Sequence, residues 1–273
     1  MKYFAVIGNP VEHSLSPQIH RYFAEEFGIK LRYEKILAPL DGFVETVNHF
    51  FSQEEALGAN VTVPFKIAAF SLCQKKSPRA AMAQAVNTLT KTAAGIEGDL
   101  TDGIGLVRDL EQRFGCDLEK KNILILGAGG AAAGIIPALL EKHPSLLVVA
   151  NRTLCRAENL LKHYPAIMAC SLEGPFPDNF DLVINATSAA LHHAPPPLPN
   201  AIFKKHGIAY DLNYGAKAKD FLEKAKNAGA AMAIDGLGML IEQAAESFFT
   251  WHKVMPNTEL VFGRIKENNG KHT

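Results

Sequence analysis

Gly127-Ala128-Gly129-Gly130-Ala131-Ala132 is the segment whose residue types and spacing point most directly to chemistry. It fits G-x-G-x-x-[G/A], directly after the apolar run Ile123 to Leu126 and at the head of an Ala-rich stretch. In that setting Gly127 makes a tight turn, Gly129 lets a pyrophosphate approach the backbone, and free helix amides supply donors and partial positive charge. The blander reading is a plain strand-to-helix turn; the flanking pattern favours the dinucleotide loop. The end of the next strand decides which dinucleotide. An NAD site places Asp or Glu there. This chain has Asn151-Arg152-Thr153, then Arg156, and no carboxylate until Glu158. Two guanidinium groups and a hydroxyl suit a 2′-phosphate, because Arg binds phosphate oxygens through paired, charge-assisted bonds. The expectation is NADP, against the alternative of two solvated arginines at the start of a surface helix.

The elements that position this loop alternate along the chain. Leu146 to Ala150, Leu182 to Asn185 and Ile208 to Leu212 read as further strands, with helices at Ala131 to Lys142, Arg156 to His163 and Ala218 to Ala228. The earlier residues alternate too. Strands are expected at Tyr3 to Ile7, Leu31 to Leu37 and Gly58 to Val63. One helix opens at Ser16-Pro17 with Ser16 as N-cap, and a second is capped by Asp41. Gly238 to Val254 reads as a helix with Leu240, Ala244, Phe248 and Trp251 on one face, packing back on the first domain. The expected fold class is therefore α/β in two domains. Residues 1–102 plus 236–273 form a mostly parallel α/β first domain, and 103–235 form a Rossmann-type domain.

Composition bounds what else the chain can be. Its 273 residues and 29.7 kDa suit two ordinary domains. Lys plus Arg number 28 and Asp plus Glu number 28, a balance that argues against a nucleic-acid partner. The uncharged stretch Ile123 to Leu140 is broken by glycines and Pro137, so it reads as strand, turn and helix and no membrane is expected. The opening residues read as a strand and turn, not a signal peptide, and Cys73, Cys116, Cys155 and Cys170 form no CxxC pattern. A cytoplasmic location is the expectation. No metal is expected: His192-His193 has no third ligand nearby and reads as solvated loop.

Eight segments in order make the chain resemble the shikimate dehydrogenase family along its whole length. They are SLSP at 14–17 with His20, NVTVPFK at 60–66, AVNTL at 85–89, GDLTDGIG at 98–105, the glycine loop, NRTLCRA at 151–157, NATS at 185–188 and DGLGMLIEQA at 235–244. The resemblance implies NADPH-dependent reduction of 3-dehydroshikimate to shikimate, on the route to aromatic amino acids. It further implies that Lys66 and Asp102 are the catalytic pair, that Ser14 and Ser16 bind the substrate carboxylate, and that Thr62, Asn87 and Gln243 bind ring hydroxyls. Tyr214 matches a residue at the substrate rim. Thr187, Leu212 and Gly236 join Gly127, Ala128, Gly129, Gly130, Ala131, Asn151, Arg152, Thr153 and Arg156 on the cofactor side, with Ser188 after the same strand end.

Chemistry supports these roles without requiring them. A lysine ammonium can polarise a ketone and deliver its proton, and a carboxylate beside it can fix it. Taken alone, Lys66 would read as a solvated lysine, and Asp102 as a helix cap. Leu100 departs from the family, which usually has Asn there, and this could weaken a polar network around Asp102. Leu212-Asn213-Tyr214-Gly215 and Ala189-Ala190 depart as well. The other readings are a broader quinate/shikimate dehydrogenase and a catalytically silent nucleotide-binding module. The small-molecule substrate is the expected partner, in a monomer or a homodimer.

Overall fold

The computed structural model describes residues 1–187, 195–199 and 201–270. The chain forms two compact units, Met1–Gly105 with Leu240–Thr273, and Leu106–Met239.

The first unit is built on a six-stranded sheet. Its strands are β1 (Lys2–Gly8), β2 (Leu31–Leu37), β3 (Ala56–Val61), β4 (Lys75–Lys76), β5 (Thr88–Thr92) and β6 (Gly95–Asp99), in the order β2-β1-β3-β5-β6-β4. The pairs β1–β2, β1–β3 and β4–β6 run parallel. The hairpin β5–β6 runs antiparallel and also pairs antiparallel with β3. It turns at Gly95, whose φ is +115°. The Thr-rich β5 and the Gly- and acid-rich β6 carry no apolar run, which is why the sequence does not announce them.

Helices α1 (Ser16–Glu26), α2 (Phe43–Ser52), α3 (Lys66–Leu72) and α4 (Pro78–Ala83) follow the strands. Two expected caps are corrected. Ser16 is the first helical residue of α1, Leu15 sits at the N-cap, and neither side chain closes the helix end. Asp41 likewise yields the N-cap of α2 to Gly42, whose N–H bonds Pro39 O at 3.1 Å. Both helices are entered from turns closed by backbone bonds. Phe43, Val47 and Phe50 of α2 bury against Ala5, Ile7 and Ala59.

Helix α5 (Asp102–Arg108) starts in the first unit and continues into the second, leading through a π-helical turn Asp109–Arg113 into a fully parallel sheet. Its strands are β7 (Asn122–Leu126), β8 (Leu146–Asn151), β9 (Met168–Ser171), β10 (Phe180–Asn185), β11 (Phe203–Asp211) and β12 (Met232–Ile234), in the order β12-β11-β10-β7-β8-β9. Every residue of β7 is buried, as expected of a parallel strand covered on both faces. Helices α6 (Gly130–Leu140), α7 (Leu154–Leu161) and α8 (Lys219–Asn227) cover the sheet. The strand order reverses between β7 and β10, and ligands of such sheets sit at the carboxyl ends beside that point. Ile123 to Leu140 is thus strand, turn and helix. Among the described residues no helix is long and apolar enough to cross a membrane.

The last helices are α9 (Leu237–His252) and α10 (Thr258–Gly270). From Leu240 onward α9 belongs to the first unit. Trp251 lies 4.8 Å from Phe4 and donates to Leu89 O at 3.2 Å. A Cβ on Gly58 would collide with the Trp251 indole, so only glycine admits this approach.

His20 lies on the same face, buried and stacked at 4.3 Å on Tyr33, with Phe23, Phe248 and Trp251 around it. Burial lowers its pKa from 6.5 to about 3, with His252 adding a like-charge penalty. The native state therefore holds fewer protons than the unfolded chain below pH 6.5, and stability falls as acid is added through that window. The expected loss attributable to this ring is roughly 2 kcal/mol between about pH 6.5 and 5. Urea unfolding at both pH values checks it in His20→Phe, where the acid-dependent loss should shrink; an undiminished loss would clear His20 of responsibility.

Candidate active site

Lys66 and Asp102 are far apart in sequence and meet in the first unit. Lys66 Nζ donates to Asp102 Oδ2 at 2.6 Å, with side chains 15% and 8% exposed. Each opens a helix, Lys66 α3 and Asp102 α5. The helix dipole favours Asp102 at such a position and disfavours Lys66, so the carboxylate compensates the lysine directly. Phe65, buried and stacked at 4.5 Å on Phe43, fixes the turn before Lys66, and the Lys66 carbonyl accepts from Val86 N at 2.9 Å.

Asn87 and Gln243 lie together in the same unit. Asn87 Nδ2 donates to Gln243 Oε1 at 3.2 Å and to Thr101 Oγ1 at 2.9 Å. Its Oδ1 accepts from the backbone N of Thr101, the residue before Asp102, at 2.9 Å. Thr62 is half-buried at the end of β3, where its N donates to Ile7 O at 2.9 Å. A Cβ on Gly8 would collide with the Thr62 methyl. Ser14 and Ser16 form their own pair, Ser14 Oγ to Ser16 Oγ at 3.1 Å. The hydroxyl of Ser16, freed from capping, can serve a ligand carboxylate.

Leu100 gives this network no side-chain contact. Its side chain is buried in the apolar core and its N–H bonds Asp99 Oδ1 at 2.8 Å. The polar grip before Asp102 comes from Asn87 instead.

Sequence reading gave no roles to Asn60, Thr88, Thr101, Ser247 or Tyr33. Asn60 Nδ2 donates to Ser247 Oγ at 3.0 Å, and the Tyr33 hydroxyl donates to Asn60 Oδ1 at 2.7 Å. An asparagine inside an apolar strand was the available signal, since a buried amide must find partners. Beside Ser14 a groove of about 540 Å³ is lined by Gln18, Arg21, Tyr33 and Lys35, which puts two cations near the neutral serines.

In the second unit the glycine loop links β7 to α6. Gly127 has φ +106°, and a Cβ there would stand 3.0 Å from Ala186 O. Gly129 is the N-cap of α6 with no side-chain cap bond, and Cβ atoms at Gly129 and Gly130 would meet nothing within 4 Å. Ala128 completes the turn, and Ala131 lies in the first turn of α6. The uncapped helix end thus has open space before it, which fits a pyrophosphate.

At the end of β8, Asn151 Nδ2 donates to Thr153 O at 2.8 Å, and Arg152, Thr153 and Arg156 are all exposed. Thr153 is the N-cap of α7 but its hydroxyl makes no cap bond. Thr187 donates through its N and Oγ1 to Asn185 Oδ1, at 3.1 and 2.7 Å. Asn185 Nδ2 in turn donates to Asp211 Oδ2 at 3.0 Å. Burial raises the Asp211 pKa to about 6, against bonds from the Asn185 amide and from the backbone and side chain of Asn213. The Leu212 N–H bonds Asn185 O at 3.0 Å, and a Cβ on Gly236 would stand 2.5 Å from Leu212 O, so the Leu212 and Gly236 backbones nearly touch. Tyr214 precedes a short 3₁₀ turn, Gly215–Ala218. Ser188, Ala189, Ala190, His192 and His193 lie outside the described residues.

Three family profiles match the chain: "Shikimate dehydrogenase substrate binding domain" at residues 6–89, "Shikimate / quinate 5-dehydrogenase" at 109–194, and "Shikimate 5'-dehydrogenase C-terminal domain" at 236–261. The chain is 50% identical to shikimate dehydrogenase (NADP(+)) of Nitrosospira multiformis, over 98% of each chain. It is 46% identical to the protein of that name from Alkalilimnicola ehrlichii, over 96% of this chain and 98% of the relative. A crystal structure of shikimate 5-dehydrogenase from Thermus thermophilus, in complex with NADP(H) and shikimate, superposes with a TM-score of 0.86 at 33% identity, covering 98% of this chain and 99% of that one.

Proposed function

Because the chain belongs to the shikimate dehydrogenase family, we propose that Lys66 and Asp102 carry the proton in its reaction. The enzyme is an NADP-dependent oxidoreductase that interconverts 3-dehydroshikimate and shikimate in aromatic amino acid biosynthesis. The observation that carries our reading is the 2.6 Å contact between Lys66 Nζ and Asp102 Oδ2, beside the linked amides of Asn87 and Gln243.

Reduction of the ketone needs hydride at carbon and a proton at oxygen. Bound NADPH supplies the hydride. Lys66 holds the proton at the carbonyl oxygen and polarises it, and Asp102 holds the ammonium in place. Ser14 and Ser16 bind the carboxylate, and Thr62, Asn87 and Gln243 the ring hydroxyls, with Tyr214 at the substrate rim. The unit formed by Met1–Gly105 and Leu240–Thr273 is the substrate domain, and Leu106–Met239 holds the cofactor. There Gly127 to Ala131 receive the pyrophosphate, Asn151, Arg152, Thr153 and Arg156 the adenosine 2′-phosphate end, and Thr187, Leu212 and Gly236 the nicotinamide end. The enzyme works in the cytoplasm as a monomer or homodimer.

A rate matrix tests this reading: shikimate or quinate, each with NADP or NAD, followed by cofactor absorbance. Shikimate with NADP should be the fastest combination. A fastest rate with quinate would move the assignment to a quinate enzyme, and absence of turnover in all four would leave a silent nucleotide-binding module.

A further inference from the structure

Resting on the reading of Lys66 and Asp102 as the proton-transferring pair, we propose that the buried hydroxyls of Thr101 and Ser247 are positioning residues that hold Asp102 against Lys66. The amide of Asn87 has two protons to give and two lone pairs to fill. Its protons go to Thr101 Oγ1 at 2.9 Å and Gln243 Oε1 at 3.2 Å. Its oxygen receives the Thr101 N–H and the Thr88 hydroxyl, both at 2.9 Å. A backbone N–H can only donate, so this contact fixes the amide oxygen toward the Thr101 backbone and the amide nitrogen toward its hydroxyl.

The Thr101 hydroxyl accepts from Asn87 Nδ2 and has Asn87 Oδ1 at 3.2 Å, and Gln243 Oε1 and Ser247 Oγ each at 3.4 Å, as partners for its own proton. Ser247 Oγ lies 2.8 Å from Thr88 Oγ1 and accepts from Asn60 Nδ2 at 3.0 Å. Thr88, Thr101 and Ser247 are all fully buried, so water cannot replace a missing partner. The helix that carries Gln243 is thereby tied, through Ser247 and Thr88, to the amide that pins the backbone next to Asp102.

Removing the Thr101 hydroxyl leaves one Asn87 proton buried without an acceptor. The amide then turns toward other acceptors, its oxygen leaves the Thr101 N–H, and Asp102 loses its register with Lys66. A displacement of about an ångström at a catalytic group can cost as much as roughly 100-fold.

Thr101→Val, which keeps the shape of the side chain, should lower kcat roughly 10- to 100-fold. It should also move the pH at which kcat falls to half, and leave KM for NADP unchanged. Thr101→Ser should restore most of kcat. Ser247→Ala, one bond further out, should lower kcat in the same direction by less, and it decides the matter if Thr101→Val does not fold. The proposal is overturned if the variants lower the urea midpoint while kcat and the pH profile stay at parental values. That outcome, with Lys66→Ala inactive, leaves the reading of the pair intact; an active Lys66→Ala removes the pair itself.

Discussion

Lys66→Ala is expected to lower kcat by about 10²- to 10⁴-fold, the worth of general acid catalysis, with a much smaller change in the KM for shikimate. The split follows from where charge appears. The ketone oxygen is nearly neutral in the bound substrate and gains negative charge only as hydride arrives, so the ammonium acts mainly in the transition state. Asp102→Ala should lower kcat by releasing Lys66 from its 2.6 Å contact, and raise KM by losing a substrate bond. Two groups that act as one are not additive. The double variant should therefore fall only slightly below Lys66→Ala. A double-mutant cycle on kcat at the pH optimum, with substrate binding measured separately, reads this out. Losses that add in full would make the residues independent. A Lys66→Ala enzyme that keeps most of its kcat would show that the proton comes from elsewhere.

Arg152→Ala should raise the KM for NADP roughly 10- to 150-fold, since a charge-assisted bond is worth about 1.5–3 kcal/mol. The KM for NAD should change far less, because NAD lacks the 2′-phosphate. Arg152 and Arg156 are exposed at the end of β8 and the start of α7, so neither is needed to fold the domain. Removing one should alter affinity and leave the urea midpoint in place. Steady-state kinetics with both cofactors checks it. An unchanged KM for NADP would take Arg152 out of the phosphate site.

Much of this was legible in the chain itself. Strands β7, β8 and most of β10 are buried and read as apolar runs, which the edge strand β9 and the polar start of β11 do not, and glycine at 127 is demanded by a backbone that only glycine adopts freely. The cofactor preference was equally local, because the residue at one strand end decides it and Arg152 stands where a carboxylate would. The pair proposed to carry the proton was legible only through resemblance: neither a lysine after a proline-containing turn nor an aspartate at a helix start announces chemistry.

The tertiary structure decided the rest, and in each case because the deciding contact is long-range. The hairpin β5–β6 lacks an apolar pattern of its own and exists by pairing with β3. Ser16 and Asp41 have cap-forming side chains, yet backbone-closed turns place Leu15 and Gly42 at the caps. Leu100 looks like a defect beside Asp102 and is a core residue. Asn60, Asn87, Thr101 and Ser247 are ordinary polar letters until the sheet and α9 bury them together. Only then must each proton find an acceptor, and that requirement sets the backbone beside Asp102.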